Sequence, residues 1–280
     1  MKRVLLTGAT SGIGKEIATE VLRRGDSLLL ICRSQTRAAH SIQEWKAMFP
    51  HANIEVYFAD LAEMKQVRAV ALQIQEQHSN LDILVNNAGL YLDRRLLTEE
   101  GYEKTFAVNH LSYMALTRFL MPLLQQSASA RIVNVASRAH RYGSLLLDDL
   151  MWSRPYRPRI VYGTTKLCNI LFSSALVRRL EGSGISVNSL HPGVVRTRFA
   201  KGQGGLMGWG TALLRPFFLS PKGGAETPLF LMYSSKVEGC SGGYYVRCKK
   251  KRPSKTARDM MLAERLWEES EVLIQRALMS

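Results

Sequence analysis

The chain has 280 residues, enough for one large α/β domain, and its 46% hydrophobic and 22% charged residues belong to a globular rather than a disordered protein. A net charge of +15 admits nucleic acid, an anionic membrane or an anionic ligand as a partner and decides among none of them. No uninterrupted apolar run reaches about 18 residues, which speaks against a membrane span.

No signal peptide precedes the first predicted strand, and Cys32, Cys168, Cys240 and Cys248 share no metal-ligand spacing; they read as reduced thiols of a cytoplasmic protein. The apolar run Val4, Leu5, Leu6 predicts a buried strand that stops at Thr7. Gly8, Gly12 and Gly14 follow, and Ile13, Ile17, Val21 and Leu22 then recur on one helical face. Strand, glycine turn and helix start together make an anion site, because glycine lets the backbone approach a phosphate and the first helical N–H groups point at it. The spacing is Gly-x-x-x-Gly-x-Gly and not the usual Gly-x-Gly-x-x-Gly, so a tight turn without a ligand stays open as the alternative.

Strand and helix then alternate almost to the end. Strands are predicted at Ser27–Cys32, Ile54–Phe58, Leu81–Val85, Arg131–Ala136 and Ile185–Leu190. Helices are predicted near Arg37–Phe49, Glu63–His78, Glu99–Gln125 and Tyr162–Leu180. Near-continuous apolar strands with helical crossovers predict a doubly wound parallel sheet, a three-layer α/β/α Rossmann fold in a single domain spanning 1–280. Right-handed crossovers align the loops after the strands along one edge, where ligands bind in such sheets.

Those loops carry the chemistry. After the second strand stands Arg33, where an acid would select NAD and an arginine suits a 2′-phosphate; a solvated surface charge is the alternative. After the third come Asp60 and Leu61, the carboxylate placed to accept from an adenine amino group or to cap the next helix. After the fourth, Asn86-Asn87-Ala88-Gly89 is small and amide-rich, able to approach a ribose. Tyr162 and Lys166 lie four apart on one helical face, where an ammonium lowers the phenol toward working pH for general acid–base chemistry. Such pairs arise by chance, and Tyr245/Lys249 is a second one; it is discarded because it leaves a strand-like run and enters a basic tail.

Thr7-Gly8-x-x-x-Gly12-x-Gly14, Asp60-Leu61, Asn86-Asn87-Ala88-Gly89, Asn109, Ser137, Tyr162-x-x-x-Lys166 and Pro192-Gly193 occur in this order. From residue 2 to about 246 this pattern strongly resembles the classical-type short-chain dehydrogenases/reductases. Cys32-Arg33, Val108-Asn109-His110, Ser137-Arg-Ala-His140, Lys166-Leu-Cys-Asn-Ile-Leu-Phe172, His191-Pro-Gly-Val-Val-Arg-Thr197 and Leu266-Trp267-Glu-Glu-Ser-Glu271 look like its retinol dehydrogenase branch, as does an insertion with Asp148-Asp149-Leu150. The resemblance implies that Tyr162 is the proton donor and acceptor, Lys166 its pKa modulator, Ser137 the substrate-oxygen partner and Asn109 the support of a water beside Lys166. It implies cofactor contacts from Gly8, Ser11, Gly12, Ile13, Gly14, Arg33, Asp60, Leu61, Asn87, Gly89, Tyr162, Lys166, Pro192, Gly193 and Thr197, and no metal site. Ser11 departs from NADP-using relatives, which often carry a basic residue there, so Arg33 must supply most of the 2′-phosphate recognition; NADP(H) is preferred, with NAD(H) the alternative.

Specificity falls to a lid at about 198–220, rich in glycine and in large apolar residues, which favours a lipophilic carbonyl or alcohol; a surface helix pair is the other reading. Arg247–Arg258 is a basic run without an acid and admits peripheral membrane contact. The basic tail and a final helix with Met261, Leu262, Leu266, Leu273 and Ala277 on one face make up 247–280. A non-catalytic NAD(P)-binding regulator is the competing class, and keeping Asn109, Ser137, Tyr162 and Lys166 together argues against it. Nucleic acid is not expected, because no aromatic residue lies between Lys249 and Arg258. A homodimer through the two long helices is expected by analogy only.

Overall fold

The inner strands are buried on both faces, and the two-residue period of a strand sends neighbouring side chains to opposite layers. Leu28 and Leu30 enter one core while Leu29 and Ile31 enter the other. The computed structural model describes residues 1–194 and 219–279. Its sheet contains β1 (Arg3–Thr7), β2 (Ser27–Cys32), β3 (Ile54–Phe58), β4 (Ile83–Asn86), β5 (Arg131–Val135), β6 (Ser186–His191), β7 (Tyr244–Val246) and β8 (Lys249–Lys251). The strand order is β3-β2-β1-β4-β5-β6-β7-β8, all parallel except the antiparallel β8. The chain runs outward from β1 to β3 and then crosses to β4 on the other side of β1. A crevice therefore opens over the carboxyl ends of β1 and β4, the place where such sheets bind ligands.

One face is covered by α1 (Gly12–Arg23), α2 (Gln35–Met48) and α8 (Pro221–Tyr233), through residues such as Ile17, Val21, Trp45 and Leu231. The other carries α3 (Met64–Gln77), α5 (Ser112–Phe119), α7 (Pro158–Arg179) and α9 (Met260–Met279). The three-layer Rossmann fold expected from the alternation is the one observed, and Ser27–Cys32 and Ile54–Phe58 match to the residue. By length and composition α7 could cross a membrane, with a mean hydropathy of 1.3, but 78% of that window is buried within the protein. It is a core helix.

Three expectations are corrected. The long helix predicted over Glu99–Gln125 begins only at α4 (Lys104–Phe106), because the preceding residues turn back and Glu103 caps it, accepting from the backbone N–H groups of Thr105 and Phe106. It passes through a π turn at Ala107–Leu111 and breaks at Leu120, where Pro122 starts the short α6 (Met121–Gln125). The basic run is not a tail: Arg247 and Cys248, both at positive φ, turn the chain so that Lys249–Lys251 pairs with β7 as an edge strand. The final helix turns Leu266 and Ala277 inward and packs Leu262 and Leu273 against the core as expected, but Met261 is 80% exposed, and Ala263, Ser270 and Ile274 complete the buried face. Of the predicted lid only Leu219 and Ser220 fall among the described residues, and Thr197 lies outside them.

Candidate active site

The loops after β1 and β4 are braced against each other before any ligand is considered. Thr7 Oγ1 accepts from the backbone N–H groups of Asn87 (3.0 Å) and Ala88 (2.9 Å). The Asn87 amide donates back to the carbonyls of Thr7 (2.8 Å) and Gly8 (3.3 Å). So close an approach leaves no room for side chains: a Cβ at Gly8, whose φ is +69°, would lie 2.9 Å from Ala88 Cα, and one on Gly14 would overlap the Gly8 carbonyl oxygen. Ser11 stands at the N-cap of α1 in extended conformation with no side-chain cap bond. The first N–H groups of α1 are thus left for another acceptor beside a glycine cradle, which fits a dinucleotide pyrophosphate.

At the end of β2, Arg33 is 67% exposed at its side chain, and its guanidinium donates to Asp60 Oδ2 at 3.3 Å. Asp60 does not cap the next helix. It accepts from Ala62 N–H within its own turn (3.0 Å), while Glu100 accepts from Met64 and Lys65 at the start of α3. Leu61 is buried in the core, and Lys104 approaches Asp60 to 4.0 Å. Arg33 and Lys104 thus place two cations beside Asp60, just past the carboxyl ends of β2 and β3.

Four side chains meet on the far side of the crevice. Lys166 is buried on α7, and its Nζ donates to the Val135 carbonyl at 3.0 Å, 5.5 Å from the Tyr113 ring centre and 5.7 Å from that of Tyr162. Burial lowers its ammonium to about 7. Asn109 sits in the π turn, and its amide grips the Leu90 backbone in both directions (2.8 and 2.9 Å) and donates to Thr165 Oγ1 at 3.1 Å. The loop carrying Gly89 is thereby pinned against α7, and a Cβ on Gly89 would lie 3.5 Å from Lys166 Nζ.

Tyr162 is drawn to Ser137 by a small-residue contact. A Cβ on Gly163 would lie 2.8 Å from the Ala139 carbonyl oxygen, and one on Gly143 would lie 2.6 Å from the Gly163 backbone. The first turn of α7 therefore rests directly on the Arg138–Tyr142 turn, and a hydrogen bond links Tyr162 to Ser137. Burial, with the Tyr142 phenol beside it, pushes the Tyr162 hydroxyl well above its ordinary value, and the Ser137 bond only pulls part of this back. The direction expected from the sequence was the reverse. Burial lowers the Lys166 ammonium to about 7, so it is neutral over the range where the phenol would ionise and cannot offset that burial.

Pro192 and Gly193, the latter at φ +96°, follow β6 at the carboxyl edge of the sheet. Several neighbours have no motif to announce them. Tyr113 donates to the Ala88 carbonyl at 2.7 Å, and Tyr91 packs edge-on against Tyr162 with ring centres 5.8 Å apart. Arg159 lies over the Tyr142 ring at 5.6 Å. A tyrosine one residue beyond the Asn86–Leu90 loop, and the glycine directly after Tyr162, were the only signals available. Among the described residues no group of histidine, cysteine and carboxylate side chains could hold a metal ion.

The family model for short chain dehydrogenases matches residues 2–204. Retinol dehydrogenase 14 of Homo sapiens is 37% identical, the match covering 98% of this chain and 86% of the relative. Retinol dehydrogenase 13 of Homo sapiens is 38% identical over 98% of this chain and 84% of the relative. Among solved structures, an uncharacterized protein from Mycobacterium paratuberculosis superposes with a TM-score of 0.80 at 30% identity, covering 98% and 94% of the two chains. The L-sorbose reductase of Gluconobacter frateurii, solved with NADPH and L-sorbose, gives 0.68 at 25% identity, over 87% and 94%. The chain belongs to the short-chain dehydrogenases/reductases, within a retinol dehydrogenase-like branch, and is an NAD(P)-dependent oxidoreductase acting on CH–OH and C=O groups.

Proposed function

We propose that the protein interconverts a lipophilic carbonyl compound, such as a retinal-like aldehyde or ketone, and its alcohol, with NADP(H) preferred. The convergence of Ser137, Tyr162 and Lys166 at the carboxyl edge of β5, beside the glycine cradle, carries this reading. Bound dinucleotide would supply the hydride in reduction and accept it in oxidation. The uncapped first turn of α1 would hold the pyrophosphate, Arg33 the 2′-phosphate, and Pro192, Gly193 and Thr197 the nicotinamide end. Ser137 would hydrogen-bond the substrate oxygen as charge develops on it. The Tyr162 hydroxyl would give its proton to that oxygen in reduction and take it back in oxidation. A phenol held above its ordinary value is a weak acid, so Lys166 must be charged when the proton leaves. Its ammonium, lowered to about 7, then sets an alkaline limit on turnover. The names of the retinol dehydrogenase relatives, and the oily composition of 198–220, support the substrate class.

Purified protein should oxidise NADPH with at least one of retinal, a long-chain aldehyde, a steroid ketone or a quinone. Tyr162→Phe should lower kcat by about 10²–10⁴ while NADPH still binds. Full activity of that variant would remove the proposed mechanism.

A further inference from the structure

His140 is 1% exposed, lies outside the four side chains discussed above, and joins two segments 114 residues apart. Its Nε2 faces the backbone N–H of Ser254 at 3.1 Å, and its Nδ1 faces the Ser137 carbonyl oxygen at 2.7 Å. The two partners settle the tautomer. A backbone N–H can only donate, so Nε2 is the acceptor; a carbonyl can only accept, so Nδ1 carries the proton. The ring is neutral and both nitrogens are used. Tyr244 on β7 packs edge-on against it, with ring centres 5.1 Å apart, fixing its plane. The His140 backbone N–H also donates to the Ser137 carbonyl at 3.1 Å, so this one oxygen receives two bonds from the same residue.

The consequence falls on the Ser137 hydroxyl. Ser137 is extended, with φ −160° and ψ 158°, at the step from β5 into the turn, and its Oγ accepts from Ala139 N–H at 3.2 Å. The imidazole holds the backbone that carries Ser137, and the Ala139 N–H holds its hydroxyl, so a shift of this peptide, and with it the hydroxyl, must break the imidazole bond. The other end of that imidazole rests on the segment just after β8, within the basic run.

We propose that His140 is a positioning residue for the reaction, fixing Ser137 beside Tyr162 by clamping the serine carbonyl to the backbone at Ser254. The proposal rests on the reading of Ser137 and Tyr162 given above. His140→Phe keeps the ring volume and removes both bonds. It should lower kcat about tenfold or more, as loss of alignment does, with the NADPH Kd unchanged. His140→Gln, which retains one planar donor and one acceptor, should recover part of that loss. Should the Phe variant not fold, Ser254→Pro deletes the donating N–H and leaves the imidazole, and the same fall in kcat is expected. In the wild-type protein, ¹⁵N NMR should show His140 neutral and protonated at Nδ1 near pH 7. A kcat within twofold of wild type in His140→Phe or Ser254→Pro, an equal loss of NADPH binding, or a proton on Nε2 would each overturn the proposal. If Ser137→Ala and Tyr162→Phe are also fully active, the reading of the site itself has failed; if they are inactive while His140→Phe is not, only the clamp has.

Discussion

Two regions of the molecule, the crevice over β1 and β4 and the helix layer on one face of the sheet, are built on different principles. Around β1 and β4, order comes from close backbone approach: the Thr7 hydroxyl and the Asn87 amide each bind the other loop's main chain, and Gly8 and Gly14 add no side chain. Around α5, α7 and α9, order comes from side chains distant in sequence. His110 pairs with Ser270 Oγ at 2.9 Å, Tyr102 donates to the Leu273 carbonyl at 2.6 Å, and the Phe172 and Trp267 rings stack at 5.7 Å. A backbone-built region tolerates no added atom near its ligand, whereas a side-chain-built region fails by losing atoms. Damage should therefore appear as lost cofactor binding in one region and as lost stability in the other.

The largest effect is expected where packing carries the load. Leu266 is fully buried on α9, and Leu266→Ala should cost about 2–5 kcal/mol of unfolding free energy, read by urea denaturation, with the NADPH Kd unchanged. A weakened Kd in the folded variant would show that the two regions are coupled. The same helix packs along α7 and against α3, and its Glu271 pairs with Arg118 of α5. A homodimer through the two long helices would need that face open, so no cross-link should form between the α7 helices of two copies, and such a cross-link would contradict this.

Acid provides the next test of the side-chain region. Burial holds His110 at about 4, against an ordinary value near 6.5. The unfolded chain takes up this proton at higher pH than the folded one, so the neutral histidine favours folding fully above pH 6.5. That contribution is lost as pH falls from about 6.5 to 4, on the order of 3 kcal/mol. Burial, together with Arg138, holds His191 at about 4 as well, so the same window receives a second contribution. The urea midpoint should fall across this window, and a flat profile would show that these groups admit water.

How far the sequence could be read follows the same division. Gly8, Gly14, Asn87 and the Tyr162/Lys166 spacing are local signals, because a phosphate turn or a shared helical face is written within a few residues. The capping of α3 by Glu100 and the anchoring of His140 to Ser254 depend on partners far along the chain, which no local period announces. Lys249–Lys251 was read as tail for a related reason: an edge strand has no buried alternation to display, and its lysines guard the open edge. The raised Tyr162 hydroxyl escaped because i, i+4 spacing specifies proximity and is silent about desolvation.

Within the backbone-built region, Gly14→Ala should cost about 1–3 kcal/mol by overpacking and abolish tight NADPH binding, because the Gly8 carbonyl must move. Titration of the folded variant by NADPH fluorescence reads this directly, and an unchanged Kd would mean that the cradle is not where the pyrophosphate lies.

The smallest effect is the most discriminating one. Arg33 is the exception in this region, an exposed side chain whose hold on Asp60 is a single 3.3 Å contact in water. Exposed pairs contribute about 0–1 kcal/mol, so Arg33→Glu should leave folding nearly untouched. Toward the cofactor the substitution replaces a cation by an anion where the 2′-phosphate would sit. The ratio of kcat/KM for NADPH over NADH should fall about tenfold, the equivalent of roughly 1.4 kcal/mol. Ser11 offers no second cation, so no other residue of the turn can compensate. Lys104, already within 4.0 Å of Asp60, is a neighbouring cation able to blunt the change. Lys104→Ala combined with Arg33→Glu should therefore move the ratio further than Arg33→Glu alone, and an unchanged ratio in the double variant would remove the 2′-phosphate from this edge of the sheet.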